Sequence, residues 1–267
     1  MGFEKWRSNE PVSFSNPTKK PVLKEVTHKT FYSELIGHEI GYNIYLPPGY
    51  DGKRCFPVVY SLHGWTGNES SHIRCLKDVI KNREAITVFP NATRENGYRD
   101  DIFPIESMII TELIPHIDQT YKTIATRDGR AISGMSMGGA GAFYYAVKYH
   151  ELFSAVTAYA PTFHHFFHDD YDEFDKPASR ATEIFNEFPQ YESAETKYFE
   201  ANGIMRLLKQ NADKIRSRLK IAIHIGTADI LYCENELMHL YLDSLGITHE
   251  YRVFEGVGHK LTGILYS

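Results

Sequence analysis

The chain has 267 residues, a formal net charge of −5 and a hydrophobic share of 42%. That length suits one large α/β domain with its own core and no need of disulfide staples. The mild acidity argues against a nucleic-acid or anionic-membrane partner. The three widely spaced cysteines, Cys55, Cys75 and Cys233, indicate neither a disulfide framework nor a zinc site.

Residues 1–21 are polar and proline-rich, without the apolar stretch of a secretory signal. The expectation is an irregular arm on a cytoplasmic protein. No apolar run approaches the length of a membrane span. "LKEVTHKTFYSE" and "HEIGYNIYLP" then read as two strands bent at "LIG", an antiparallel edge hairpin. "FPVVYSLHG" (56–64) and "AITVFP" (85–90) hold the short apolar runs of strands that a parallel sheet buries on both faces. A helix is expected between them, over about 71–81. "IESMIITELIPHIDQTY" (105–121) has apolar residues at helical spacing, with Pro115 placed to kink or break it. Strand 130–134, helix 137–149, strand 154–159 and strand 220–226 follow. A helix over "ENELMHLYLDSLG", closed by Gly246, and a strand over "HEYRVFEG" complete the alternation. Strands alternating with helices imply a mostly parallel central sheet with helices on both faces, here as one domain over 1–267.

One region breaks this rhythm. Between about 160 and 218 there is no clear strand. The aromatic and histidine-rich "PTFHHFFHDDYDEFDKP" gives way to helical patterns around 179–187 and 194–216. A long insertion between two sheet strands is more often functional than accidental, and a cap or lid is expected here.

The stretch "RAISGMSMGGAGAFYYA" (130–146) contains G-x-S-x-G at 134–138. The pattern alone is weak, but a strand before it and a helix after it are the context in which a serine hydroxyl is held out of the fold at a sharp turn. A serine needs a base, and the base needs an orienting acid. In hydrolases of this kind the order along the chain is serine, acid, histidine. Asp229 follows strand 220–226 and His259 follows the last strand, so both fall at the carboxyl ends of strands, as Ser136 does. Taken singly, Asp229 reads as a turn residue or helix cap and His259 as a surface histidine. In this order they form a candidate triad. Asp169, Asp170, Glu234, Asp243 and His249 are weaker competitors, the last because it begins a strand at the opposite edge. The oxyanion of acyl transfer needs backbone N–H donors. Met137 is one candidate. Trp65, in "HGW", is the other, with His63 holding that loop.

Together "YNIYLPPGYD", "FPVVYSLHG", "ESMIITELIPHIDQTY", "ISGMSMGGAGAF" and "GVGH" resemble the esterase D and feruloyl esterase branch of the α/β-hydrolases, carbohydrate esterase family 1. The resemblance implies a serine esterase without a cofactor, with Ser136, Asp229 and His259 as its triad and Met137 and Trp65 at its oxyanion positions. It implies small ester substrates, hydroxycinnamoyl (feruloyl) saccharides foremost. Acetylxylan esterase, S-formylglutathione hydrolase, acyltransferase and silent binding protein are the alternatives. In related feruloyl esterases an insertion at this place holds the aromatic acyl group. Phe163, His164, Phe166 and Phe167 beside Trp65 are therefore candidates for substrate binding, or else simply pack the insertion onto the sheet. His164, His165, His168, Asp169 and Asp170 lack a recognised ligand spacing, so no metal is expected. The aromatic residues that follow the family's catalytic histidine are missing from "GHKLTGILYS".

Overall fold

The computed structural model describes residues 23–92, 97–100, 103–163 and 203–266. Among the described residues eight strands form one sheet: β1 (Val26–Ser33), β2 (His38–Tyr45), β3 (Val58–Leu62), β4 (Ile86–Pro90), β5 (Arg130–Met135), β6 (Ala155–Tyr159), β7 (Lys220–Gly226) and β8 (Glu250–Phe254). Their order is β1-β2-β4-β3-β5-β6-β7-β8. β2 pairs antiparallel with β1 and β4, and the remaining pairings are parallel. The hairpin expected from the sequence therefore forms the edge of the sheet, and every residue of β3 and β4 is buried. The chain has the α/β-hydrolase architecture that its alternating pattern implies.

Among the described residues, helices cover both faces of the sheet. They are α1 (Lys77–Lys81), α2 (Ile105–Ser107, Met108–Leu113 and Ile114–Thr120 in succession), α3 (Met137–Lys148), α4 (Ile204–Ile215), α5 (Tyr232–Ser244) and α6 (Leu261–Leu265). Side chains of α2, α3, α4 and α5 pack into one core on one face. Those of α1 and α6 close a smaller core on the other. The end of α5 is fixed as its glycine predicts. Gly246 takes φ +63°, its N–H donates to the Asp243 carbonyl, and the Ile247 N–H donates to that of Leu242.

Three elements differ from expectation. The helix expected over 71–81 is regular only from Lys77. Ahead of it, the Asn68 and Ser71 side chains bond nearby backbone: the Asn68 N–H donates to Ser71 Oγ at 2.8 Å and the Ser70 N–H to Asn68 Oδ1 at 2.9 Å. Such local bonds compete with helix formation. α2 does not break at Pro115 but widens into a π-helical segment, Met108–Leu113, just before it. A wider turn accommodates the missing N–H and the ring's crowding of the preceding turn. The region expected to form an insertion over 160–218 ends in α4, whose Ile204, Met205, Leu207, Leu208, Ala212 and Ile215 are buried in the main core beside α3. That part is the crossover helix between β6 and β7. The rest of the expected cap, 164–202, lies outside the described residues.

The parallel register sets the site. Leu62 faces Gly134, Met135 faces Tyr159, and Gly226 faces Phe254. The carboxyl ends of β3, β5, β6, β7 and β8 thus lie along one edge, where Trp65, Ser136, Thr162, Asp229 and His259 follow them.

Candidate active site

Ser136 sits between β5 and α3 with φ 58° and ψ −123°, a conformation L-residues avoid. The turn holds it there. The Ser136 N–H donates to the Tyr159 carbonyl at 2.9 Å, and its own carbonyl accepts the Ala140 N–H at 3.0 Å. An alanine Cβ at position 134 would lie 2.1 Å from the Gly138 carbonyl oxygen, and one at 138 would lie 2.3 Å from that of Leu62. Only glycine allows strand and helix to meet this closely. Ser136 caps the twelve-residue helix α3, whose aligned peptide dipoles favour negative charge at that end.

The structure brings Ser136, His259 and Asp229 together. Ser136 Oγ donates to His259 Nε2 at 3.0 Å, and His259 Nδ1–H donates to Asp229 Oδ2 at 2.8 Å. Asp229 is only 5% exposed, and its other oxygen accepts the Leu231 N–H at 2.9 Å. The His259 side chain remains 33% exposed. The Asp229 and His259 loops are knitted by backbone bonds, Ala228 N–H to Val257 O and Thr227 N–H to Phe254 O. The arrangement can move a proton from the serine oxygen to the imidazole and hold the resulting cation against a carboxylate.

The "HGW" loop closes over this group. A Cβ on Gly64 would sit 3.5 Å from the Ser136 Cβ, so the loop backbone lies directly against the serine. His63 pins it from below. The Ala92 N–H donates to His63 Nε2 at 3.2 Å, which leaves His63 Nδ1–H to donate to the Gly64 carbonyl at 2.9 Å. Burial lowers the His63 pKa to about 4, so the ring is neutral near pH 7. The Trp65 side chain stands 68% exposed beside the serine.

Two findings concern residues singled out in the sequence. Phe163 is fully buried and packs edge-on against Phe143 at 5.2 Å, within the main core. It serves packing rather than the surface beside Ser136, the second of the two readings its sequence allowed. His164, Phe166 and Phe167, and the cluster His165, His168, Asp169 and Asp170, lie outside the described residues. Among the described residues, His239, Asp243 and His249 gather possible metal-ligand atoms within 4.8 Å. His239 and His249 bond each other at 2.8 Å, and His249 Nδ1–H donates to the Ile247 carbonyl. This group lies at the amino end of β8, at the opposite edge from Ser136, as His249 was expected to be. The three cysteines are free.

Sequence reasoning missed several residues. Thr162 places its hydroxyl 3.3 Å from Ser136 Oγ; its one signal was its place just after β6. Glu69 is buried with Oε2 accepting the Asn91 side-chain amide at 2.8 Å, while the Asn43 amide donates to the Glu69 carbonyl at 2.9 Å. These bonds tie the "HGW" loop to β2 and β4. His72, Cys75, Lys260 and Thr262 line a recess that reaches Ser136.

The chain is also similar to known proteins. Residues 33–262 match the Esterase family, described as "Putative esterase". The chain belongs to that family. It is 31% identical over 142 residues to Esterase Rv1288 of Mycobacterium tuberculosis, covering 49% of this chain and 31% of that protein. It is 30% identical over 163 residues to the Endo-1,4-beta-xylanase/feruloyl esterase of Xylanibacter ruminicola, covering 52% of this chain and 22% of that protein. The chain thus spans less than a third of the length of these curated relatives. A solved ferulic acid esterase superposes with a TM-score of 0.71 at 24% identity, over 89% of this chain and 92% of that one. An S-formylglutathione hydrolase from Agrobacterium tumefaciens does so with a TM-score of 0.67 at 19% identity, over 90% of each. These two likenesses carry the fold. Among the described residues no helix is long and apolar enough to cross a membrane.

Proposed function

We propose that the chain is a serine carboxylesterase that hydrolyses hydroxycinnamoyl (feruloyl) esters of plant cell-wall saccharides through an acyl-enzyme on Ser136. The observation that carries the reading is the unbroken hydrogen-bonded run from Ser136 Oγ through His259 to buried Asp229. Ser136 Oγ attacks the ester carbonyl as His259 Nε2 takes its proton. The carbonyl oxygen becomes negative and is received by the Met137 and Trp65 N–H groups, with the α3 terminus behind them. His259 then gives the proton to the departing alcohol. Water, deprotonated by the same nitrogen, attacks the acyl-enzyme and frees the acid and Ser136. Asp229 keeps the Nδ1 proton in place and offsets the imidazolium charge. Side chains and backbone N–H groups handle every proton and charge in this sequence.

The acyl assignment is supported by the named activities of the feruloyl esterase relatives and by the exposed indole of Trp65, a flat apolar surface beside the nucleophile. The test is the initial rate of hydrolysis of methyl ferulate, with p-nitrophenyl acetate as reference, by the wild type and by Ser136→Ala. Rapid cleavage of methyl ferulate, abolished in the variant, is expected. Cleavage of the acetate alone would overturn the acyl assignment and leave the serine mechanism standing.

A further inference from the structure

The recess beside Ser136 has a volume of about 460 Å³ and is lined by Gly64, Trp65, His72, Cys75, Met135, Ser136 and the run His259 to Thr262. Its position fixes what it can hold. In ester cleavage the departing oxygen takes its proton from His259 Nε2, so the leaving group must lie against that nitrogen. The recess runs from Ser136 past His259 to Lys260, Leu261 and Thr262 and is therefore on the leaving-group side.

Its polar groups share one character. Lys260, Thr262 and the His72 ring line it and have no side-chain hydrogen-bond or ion-pair partner among the described residues. His72 is partly buried, and burial lowers its pKa to about 4, so near pH 7 it presents one N–H and one lone pair. No carboxylate lines the recess among the described residues. The one acid of the site, Asp229, is buried behind His259 and engaged with it. Met135 and Leu261 supply apolar wall. A wall of this kind around unpaired donors and a single positive charge is complementary to an organic group that carries negative charge.

We propose that this recess receives the leaving alcohol or thiol, and that Lys260, with His72 and Thr262, selects one bearing an anionic group. The proposal rests on the serine mechanism above and narrows its substrates to esters whose alcohol or thiol side is acidic.

The test compares two acetyl esters that differ only in charge on the leaving group, 4-acetoxybenzoate and 4-acetoxybenzamide. Because the acyl group is the same, the result does not depend on the hydroxycinnamoyl assignment. kcat/KM for both is measured with the wild type, Lys260→Met, Lys260→Glu and Ser136→Ala. The anionic-to-neutral ratio is expected to fall about fivefold in Lys260→Met, the scale of an exposed ion pair, and further in Lys260→Glu. In the wild type it should also fall toward the Lys260→Met value at about 1 M salt, where exposed charges are screened. An equal ratio in the wild type and both Lys260 variants, with both activities lost in Ser136→Ala, overturns the recess assignment alone. Retention of both activities in Ser136→Ala overturns the serine mechanism and this inference with it.

Discussion

The nucleophile and its base are held in different ways. Ser136 stands on β5 and α3, whose residues are almost all buried, and its backbone is fixed by close contact: strand, helix and the "HGW" loop meet at glycines with no room for a methyl group. His259 follows β8, the outer strand, whose residues are exposed or half-buried. Its ring is fixed by hydrogen bonds to Asp229 and Ser136, and its loop by backbone bonds to the neighbouring loop. Packing positions the first half of the site and hydrogen bonding the second. The packed half therefore tolerates little change, while the bonded half is where exposed recess residues such as Lys260 and Thr262 can vary without disturbing the fold.

Substitutions can break this contrast or sharpen it. The largest effect is expected from Gly138→Ala, whose Cβ would meet the Leu62 and His63 carbonyl oxygens at 2.3 and 2.5 Å. Loss of the cooperative thermal transition, followed by circular dichroism, is the expected outcome. Ser136→Ala should keep the fold and lower kcat by at least about 10⁴-fold. Asp229→Asn should also keep the fold and lower kcat by about 10³- to 10⁴-fold, because the amide stabilises the wrong imidazole tautomer; steady-state kinetics checks both.

Acid should weaken the packed half. The folded His63 pKa of about 4 lies below the ordinary value of 6.5, so between those pH values the unfolded chain binds the extra proton. Stability from this group is complete above pH 6.5 and is lost as pH falls toward 4, by at most about 3 kcal/mol. His72 acts with the same sign. Denaturant midpoints at pH 7 and 4.5 should therefore differ, and His63→Gln should reduce the difference. The smallest effect belongs to the bonded half. At Gly258, next to His259, a Cβ would find its nearest neighbour, the Ala228 carbonyl oxygen, at 3.7 Å. Gly258→Ala should shift stability by less than about 1 kcal/mol. A collapse there comparable to that of Gly138→Ala would erase the contrast.

Much of this was legible in the sequence for physical reasons. Short apolar runs can be buried on both faces only as central strands, and "VVYSL" and "ITVFP" form β3 and β4. The glycines flanking Ser136 imply a close turn, and the order serine, aspartate, histidine places each residue after its own strand. What escaped depends on contacts between distant segments. Nothing local distinguishes Phe163, packed on Phe143, from an aromatic residue free to meet a ligand. Periodicity marks 194–216 as helical but cannot show that Ile204–Ile215 buries its apolar face beside α3 rather than in a cap. The helix expected from about 71 starts late because the Asn68 and Ser71 side chains tie a loop that Glu69 and Asn91 anchor to the sheet. Thr162 and His72 reach the site through the register of the sheet and the path of that loop, neither of which a linear pattern records.

The central claim is that Ser136 is the nucleophile, and active-site titration tests it directly. The protein is incubated with a p-nitrophenyl dialkyl phosphate, which transfers its phosphoryl group to an activated serine and releases p-nitrophenol. Residual esterase activity is followed, and the labelled peptide is mapped by mass spectrometry. One adduct per chain is expected, on Ser136, formed in step with the loss of activity and not formed in Ser136→Ala. Complete inactivation with the adduct on another residue, or full activity in a chain labelled at Ser136, would contradict it.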